Sequence, residues 1–222
     1  MSAGKTRRQG AGPAGWSGLL AGCLLLLAAP ATGGLAARDS AAVPQPPFPL
    51  TFETEHIVLT VEADSLRVDG IYVMGCHGDR ERTFALNYPY PRDERLGGAR
   101  TVSFAHRLDD EPWQDGRWRE LPRDRGALWT VPVVPGATLT IRTTYRQALR
   151  TDYARYIVTT TSAWGRPLRR AVFEIRLPAG VEPVSFSYPF VQCEAGLWRY
   201  EAEAFLPERD ITVEWRATAG GR

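Results

Sequence analysis

Several residue types that often carry chemistry are scarce in this sequence. It has three cysteines, three histidines and a single lysine, Lys5. The cysteines and histidines lack the short spacings, such as Cys-x-x-Cys or His-x-x-x-His, that zinc sites usually need. The hydrolase motif Gly-x-Ser-x-Gly is also absent. We therefore predict a non-catalytic protein that holds no metal and no cofactor.

Long apolar stretches are missing as well, except for one run from Trp16 to Ala29. At about 14 residues, this run is shorter than the roughly 20 residues that span a bilayer. Basic residues precede it, beginning with Lys5, and small residues follow it as far as Ala37. This order is typical of a secretory signal peptide, so we assign residues 1–37 to one and expect export to the periplasm or the cell exterior.

Cys23 leaves an alternative for this segment. The residues Leu20-Ala21-Gly22-Cys23 resemble the lipobox of bacterial lipoproteins, in which Cys23 would carry a lipid and anchor the protein to the envelope. A lipobox normally closes the apolar run, whereas Leu24 to Leu27 continue it here. A cleaved signal is therefore favoured over a lipidated Cys23 and over an uncleaved anchor.

The sequence after the signal has no strong net charge. Three of the 27 basic residues lie in the signal, namely Lys5, Arg7 and Arg8, which leaves 24 basic against 25 acidic residues. A nearly neutral chain offers no positive field to a phosphate backbone. We therefore expect no nucleic-acid partner.

The remaining sequence lacks a long helical period and shows a period of two instead. Ile57, Leu59 and Val61 alternate with polar residues, and similar alternation recurs along the chain. We predict a proline-rich linker at 38–50 and one domain at 51–218. Strands with one apolar face each need a second layer to cover them. The predicted fold is all-β, an antiparallel β-sandwich of about ten short strands, with no helix at 156–161, which is rich in β-branched residues.

Two cysteines, Cys76 and Cys193, lie beyond the signal. An oxidising compartment would allow them to form a disulfide. The alternative is that they are two separate small apolar residues, and sequence alone does not decide between these.

Two tryptophans flank an Asp-Gly pair, the strongest short hairpin signal. A turn centred on that pair places Gln114 opposite Arg117 and Trp113 opposite Trp118, with both indoles on one face. One interpretation is that the tryptophans cap the sandwich. The other is an exposed platform for carbohydrate, in which Trp129 also takes part and Gln114 and Arg117 act as donors.

A series of short motifs occupies the C-terminal third. They are Tyr145-Arg146-Gln147, the segment Tyr156 to Thr161 with Trp164 and Pro167, and Phe205-Leu206-Pro207 with Asp210 to Trp215. This order resembles that of uncharacterised secreted bacterial domains with a Thr-Thr, Trp, Pro series and a closing Phe-x-Pro-x-x-Asp strand. The resemblance implies a β-rich envelope protein and transfers no functional residues.

Two functions from different classes follow. The first is an envelope module without catalytic activity that docks a protein partner, such as a membrane protein, through a sheet edge or an aromatic patch. The alternative is a domain that binds carbohydrate or another ligand through the tryptophans named above.

Overall fold

The computed structural model describes residues 48–218, and these residues form fourteen strands and two short 3₁₀ helices. The strands are β1 (Leu50–Val61), β2 (Ser65–Cys76), β3 (Arg82–Pro89), β4 (Leu96–Leu108), β5 (Gln114–Asp115), β6 (Arg117–Glu120), β7 (Gly126–Val133), β8 (Thr138–Leu149), β9 (Tyr153–Tyr156), β10 (Leu168–Arg176), β11 (Val181–Phe186), β12 (Val191–Glu194), β13 (Leu197–Phe205) and β14 (Ile211–Ala217). The 3₁₀ helices cover Pro122–Asp124 and Thr159–Trp164. The predicted all-β class is confirmed.

The predicted signal peptide at 1–37, Cys23 and most of the predicted linker lie outside the described residues. Within the described part, no helix has the length and apolar character needed to cross a bilayer.

Eight strands form one large sheet in the order β12-β13-β10-β1-β2-β8-β4-β5. The alternation that starts at Ile57 places one face of β1 in the core. β2 pairs with β1 after a tight turn. The Glu62 amide closes this turn by donating to the Ser65 carbonyl at 2.8 Å. β1 pairs with β10 in parallel over Thr54 to Thr60, while the other pairings in this sheet are antiparallel.

Two three-stranded sheets, β11-β14-β9 and β3-β7-β6, cover one face of the large sheet. Cross-strand neighbours share a face, and one such row runs across the large sheet through Phe173, Ile57, Gly70, Thr143 and Phe104. The ring of Tyr156, on β9, lies 6.5 Å from that of Phe173. The indole of Trp129, on β7, stacks on Phe104 at 4.9 Å. Both small sheets therefore close the same core, as a sandwich requires.

The strand count and one pairing differ from the sequence prediction. The number of strands is fourteen rather than about ten, because β5 has two residues and β6, β9 and β12 have four each. Strands this short show no readable alternation. The parallel β1–β10 pair joins segments distant in sequence, and an alternation pattern does not encode strand direction.

Two local expectations were also wrong. A 3₁₀ helix begins at Thr159, inside the segment predicted to contain none. The end of the predicted linker belongs to the fold, since β1 begins at Leu50 and the Phe48 ring packs edge-on against Phe84 at 5.2 Å and Trp164 at 4.7 Å.

Candidate functional site: an aromatic cavity around Glu55

The predicted Asp-Gly hairpin is not formed. Gln114 pairs with His106 on β4, whereas Arg117 begins β6 in a different sheet. Gly116 is the crossing point between the two sheets, and its amide donates to the Phe104 carbonyl at 2.8 Å. A Cβ at Gly116 would lie 2.2 Å from the Phe104 ring. The glycine therefore serves this close approach rather than a two-residue turn.

The three tryptophans proposed as a platform therefore do not form one exposed surface. Trp113 lies half-buried below two guanidinium groups, those of Arg107 at 5.0 Å and Arg142 at 4.5 Å from its ring. Trp118 is exposed and is the cross-strand partner of Trp129. Trp129 is buried in the core, so it is not part of an exposed surface. Gln114 and Arg117 are both exposed, on different sheets.

The two cysteines beyond the signal are free thiols, so the bridge that the sequence left open is not formed. Cys76 is buried at the end of β2, and Cys193 is exposed on β12. Among residues 48–218, no group of three His, Cys, Asp or Glu side chains is arranged to hold a metal ion.

The most distinctive feature of the interior is a cavity of about 60 Å³ between the large sheet, the β3-β7-β6 sheet and the 3₁₀ helix at Thr159–Trp164. Six aromatic rings line it: Phe52, Tyr72, Tyr88, Trp129, Tyr156 and Trp164. Its lining also includes half-buried Asn87, Ile157 and Thr160, which place its mouth between β3 and the 3₁₀ helix. The cavity thus combines an apolar wall with access from the surface.

Glu55 is the one carboxylic acid in the lining of this cavity. The β1–β2 register shifts between Phe52 and Thr54. Such a bulge reverses the alternation, so Glu55 faces inward on the side of Phe52 and Ile57. Glu55 is only 3% exposed, although glutamate is rarely buried unless it is paired.

Burial leaves the Glu55 carboxyl group without compensation. Its Oε1 atom has no hydrogen-bond partner among the described residues. Desolvation raises the pKa of Glu55 from its usual value of 4.5 to about 8, because the apolar surroundings disfavour the charged form. The group is therefore mainly protonated at neutral pH, and an unpartnered buried polar atom costs about 1–3 kcal/mol.

A second residue of the lining also carries an unpartnered polar atom in the described structure. It is Trp129, whose Nε1 is a donor. Asn87 belongs to the lining as well, but its strand register pairs it with Leu128, on the face opposite Trp129. Native proteins leave few buried polar atoms unsatisfied, and each exception calls for an explanation such as a ligand. The unsatisfied atoms of Glu55 and Trp129 mark this cavity as the candidate site.

Three tyrosines form the polar part of the cavity wall. The Tyr72 hydroxyl lies 2.9 Å from that of Tyr88 and 3.0 Å from that of Tyr156. Burial raises the pKa of all three well above the usual value, so they remain neutral. Gly70 makes the arrangement possible, because a Cβ there would lie 2.4 Å from the Tyr72 hydroxyl oxygen.

Asp210 fixes the segment that forms the outer wall. Its Oδ1 accepts hydrogen bonds from the amides of Val158 (3.2 Å) and Thr159 (3.1 Å) and from the Thr159 hydroxyl (2.7 Å). Its Oδ2 accepts one from Arg155 Nε at 2.8 Å. These bonds join β9 and the start of the 3₁₀ helix to the residue that precedes β14, so the helix is held over the cavity.

Comparisons with known proteins identify a shared fold only. No protein-family model matches the chain, and no curated sequence matches it. Among solved structures, a proposed nutrient-binding protein from Legionella pneumophila is 14% identical, with a TM-score of 0.56 over 75% of this chain and 67% of that chain.

Two enzymes show weaker likeness. An M1 zinc metallopeptidase from Deinococcus radiodurans is 16% identical, with a TM-score of 0.42 over 74% of this chain and 42% of that one. Leukotriene A4 hydrolase from Saccharomyces cerevisiae is 10% identical, with a TM-score of 0.46 over 75% of this chain and 29% of that one. The chain therefore spans less than half the length of either enzyme, and these likenesses assign it no activity.

Proposed function

We propose that this chain is a non-catalytic domain that binds a small molecule, and that the cavity around Glu55 is its binding site. The observation that carries the proposal is the coincidence of two unpartnered polar atoms, on Glu55 and Trp129, with an aromatic cavity open to the surface. Ligand sites are mostly apolar concavities with a few convergent polar groups. The likeness to the proposed nutrient-binding protein supports the same class of function.

The Trp129 indole N–H provides a direct test, because its NMR resonance reports on the cavity. A library of small fragments at millimolar concentration is expected to contain members that shift this resonance and leave that of exposed Trp118 unchanged. The Trp129→Phe variant assigns the signal. If no fragment moves the Trp129 resonance, the cavity is not a ligand site.

Export is a part of the proposal that rests on the predicted signal at 1–37. An exported binding domain would meet its ligand in the periplasm or outside the cell. Mass spectrometry of the mature N-terminus tests this. We expect cleavage after Gly33 or Ala36, whereas a lipidated Cys23 would show a tethered protein and an intact Met1 would contradict cleavage of the signal.

A second candidate function is docking of an envelope or membrane protein at the edge strand β12. All four residues of β12 are exposed, and Val191 is 67% exposed. An open strand edge can pair with a strand of another protein. Crosslinking in membranes is expected to yield a defined partner that the Val191→Lys variant loses; equal crosslinking by that variant would contradict docking at β12.

A further inference from the structure

The proposed function does not specify the chemical class of the ligand. The residues of the cavity wall indicate one. Resting on that function, we propose that the ligand is a small organic cation whose protonated amine donates to Glu55 Oε1 within the ring of aromatic side chains.

The charge of the lining is one-sided. It contains the carboxyl group of Glu55 and no Arg, Lys or His. Buried carboxylates in proteins are normally paired with a cation. Since the described residues supply none, the counter-ion that would make Glu55 charged must come with the ligand.

The aromatic wall suits a cation for an independent reason. The faces of Trp and Tyr rings carry partial negative charge and attract ammonium groups within about 6 Å of the ring centre, and aromatic cages use this attraction. Trp129 is stacked with Tyr88 at 4.2 Å and with Phe104 at 4.9 Å, so its faces are taken, and the rings left for a cation are the others of the wall, such as Trp164 at the mouth beside the 3₁₀ helix. An anion would meet these rings unfavourably, and a neutral apolar ligand would leave Glu55 unpaired.

The unpartnered atoms fix the hydrogen-bonding character of the ligand. Glu55 Oε1 is an acceptor, and an ammonium group carries N–H donors. Trp129 Nε1 is a donor and matches an acceptor elsewhere on the ligand, such as a hydroxyl or carbonyl oxygen. A charge-assisted bond to a carboxylate is about twice as strong as a neutral one.

Size limits the group that enters. One water needs about 10–15 Å³ of such space, so 60 Å³ holds roughly four to six atoms of similar size. An ammonium group with a short carbon chain fits, and the remainder of a larger ligand would extend through the mouth past Thr160.

Binding of a cation should depend on pH through Glu55 alone. The other titratable side chains in the lining of the cavity are Tyr72, Tyr88 and Tyr156, all neutral, while β10 places Ala171 opposite Glu55 and the 3₁₀ helix contributes no titratable group. Protons compete with the cation below the carboxyl pKa of about 8. Affinity should therefore fall about tenfold per pH unit below 8, or about 100-fold between pH 9 and pH 6.

The test uses n-butylammonium as the probe and n-butanol as its neutral analogue. Calorimetric titration of the full chain at pH 9, where an alkylammonium is still protonated like a lysine side chain, is expected to show n-butylammonium binding at least tenfold more tightly than n-butanol. The Glu55→Gln variant should lose this preference. Glu53→Gln is the matched control, since Glu53 lies on the same strand and is paired with Arg166 outside the cavity.

Each contrary outcome has a separate meaning. If n-butanol binds as tightly as n-butylammonium, or if Glu55→Gln binds the cation unchanged, the amine assignment is overturned while the cavity remains a ligand site. If neither probe binds but library fragments shift the Trp129 resonance, the same conclusion holds. If no fragment does so either, both proposals fail. Should Glu55→Gln not fold, the pH 9 to pH 6 comparison on the unaltered protein decides, and equal affinity at the two pH values overturns the assignment.

Discussion

Replacing Glu55 by Gln should change how the stability of the protein depends on pH. The pKa of Glu55 is about 8 in the folded protein, against the usual 4.5 for an unfolded chain. Between these values the unfolded chain releases the proton and the folded protein keeps it. The folded state then binds more protons, so the free energy of unfolding falls as pH rises from 4.5 to 8.

The size of this effect follows from the width of the pH window. One pKa unit corresponds to about 1.4 kcal/mol, so a shift of this size amounts to about 5 kcal/mol. This is a large part of the 5–15 kcal/mol that stabilises a typical domain. Glu55→Gln removes the titrating group, and we therefore expect its stability relative to the unaltered protein to rise by several kcal/mol between pH 5 and pH 8.

Urea unfolding at half-unit pH steps measures this difference directly. The Glu53→Gln control should keep the pH dependence of the unaltered protein, because it retains Glu55. A stability difference between Glu55→Gln and the unaltered protein that stays constant from pH 5 to pH 8 would refute the assignment of a buried, protonated carboxyl group.

Three further substitutions test the structure around the cavity. Trp129→Ala should lower the free energy of unfolding, measured in urea, by about 3–5 kcal/mol, because it removes a buried ring. Trp118→Ala on the neighbouring strand should lower it by less than about 1 kcal/mol. Equal losses would contradict the burial of Trp129. Gly116→Ala should lower stability by about 1–3 kcal/mol, since its Cβ would meet a ring at 2.2 Å, while Gly75→Ala, whose nearest atom would be at 3.5 Å, should change it little; a neutral Gly116→Ala would show that the close approach is wrong. Asp210→Ala should cost about 3 kcal/mol or more and increase amide exchange at the start of the 3₁₀ helix; unchanged exchange there would argue against its role in holding the wall.

Local alternation was sufficient to identify the sheet class, and it also contained a signal for the site. The pattern that places Ile57 and Leu59 in the core also places Glu55 on the same face, since the three residues are two apart. A carboxylate on a buried face was therefore a readable signal. The sequence prediction did not include Glu55 because catalytic and metal sites are recognised by clusters of chemical groups, and the lining of this cavity contains a single acid.

The Asp-Gly motif misled because tertiary contacts outweighed a local preference. Gly116 is required where the chain passes against Phe104, and the same dipeptide is common in tight turns. Nothing in the neighbouring residues distinguishes these uses. The partner of Trp118 is Trp129, because β6 pairs with the next strand, β7, across residues 121–125 instead of pairing across Asp115 and Gly116.

The short motifs of the C-terminal third have a structural explanation. Asp210 bonds to Thr159, and Tyr156, Thr160 and Trp164 line the cavity that this contact supports. The Thr-Thr, Trp and Phe-x-Pro-x-x-Asp series therefore marks the cavity wall. Sequence order alone could not show this, because the two ends of the series are about 50 residues apart.

The most direct test of the central claim is a carbon-13 NMR titration of the Glu55 carboxyl carbon, with and without n-butylammonium. We predict a pKa of about 8 in the free protein, because of burial, and a lower pKa when the cation is bound, because a positive charge favours the carboxylate. A carboxyl group that titrates near 4.5 in the free protein, or whose pKa the cation leaves unchanged, would contradict the account.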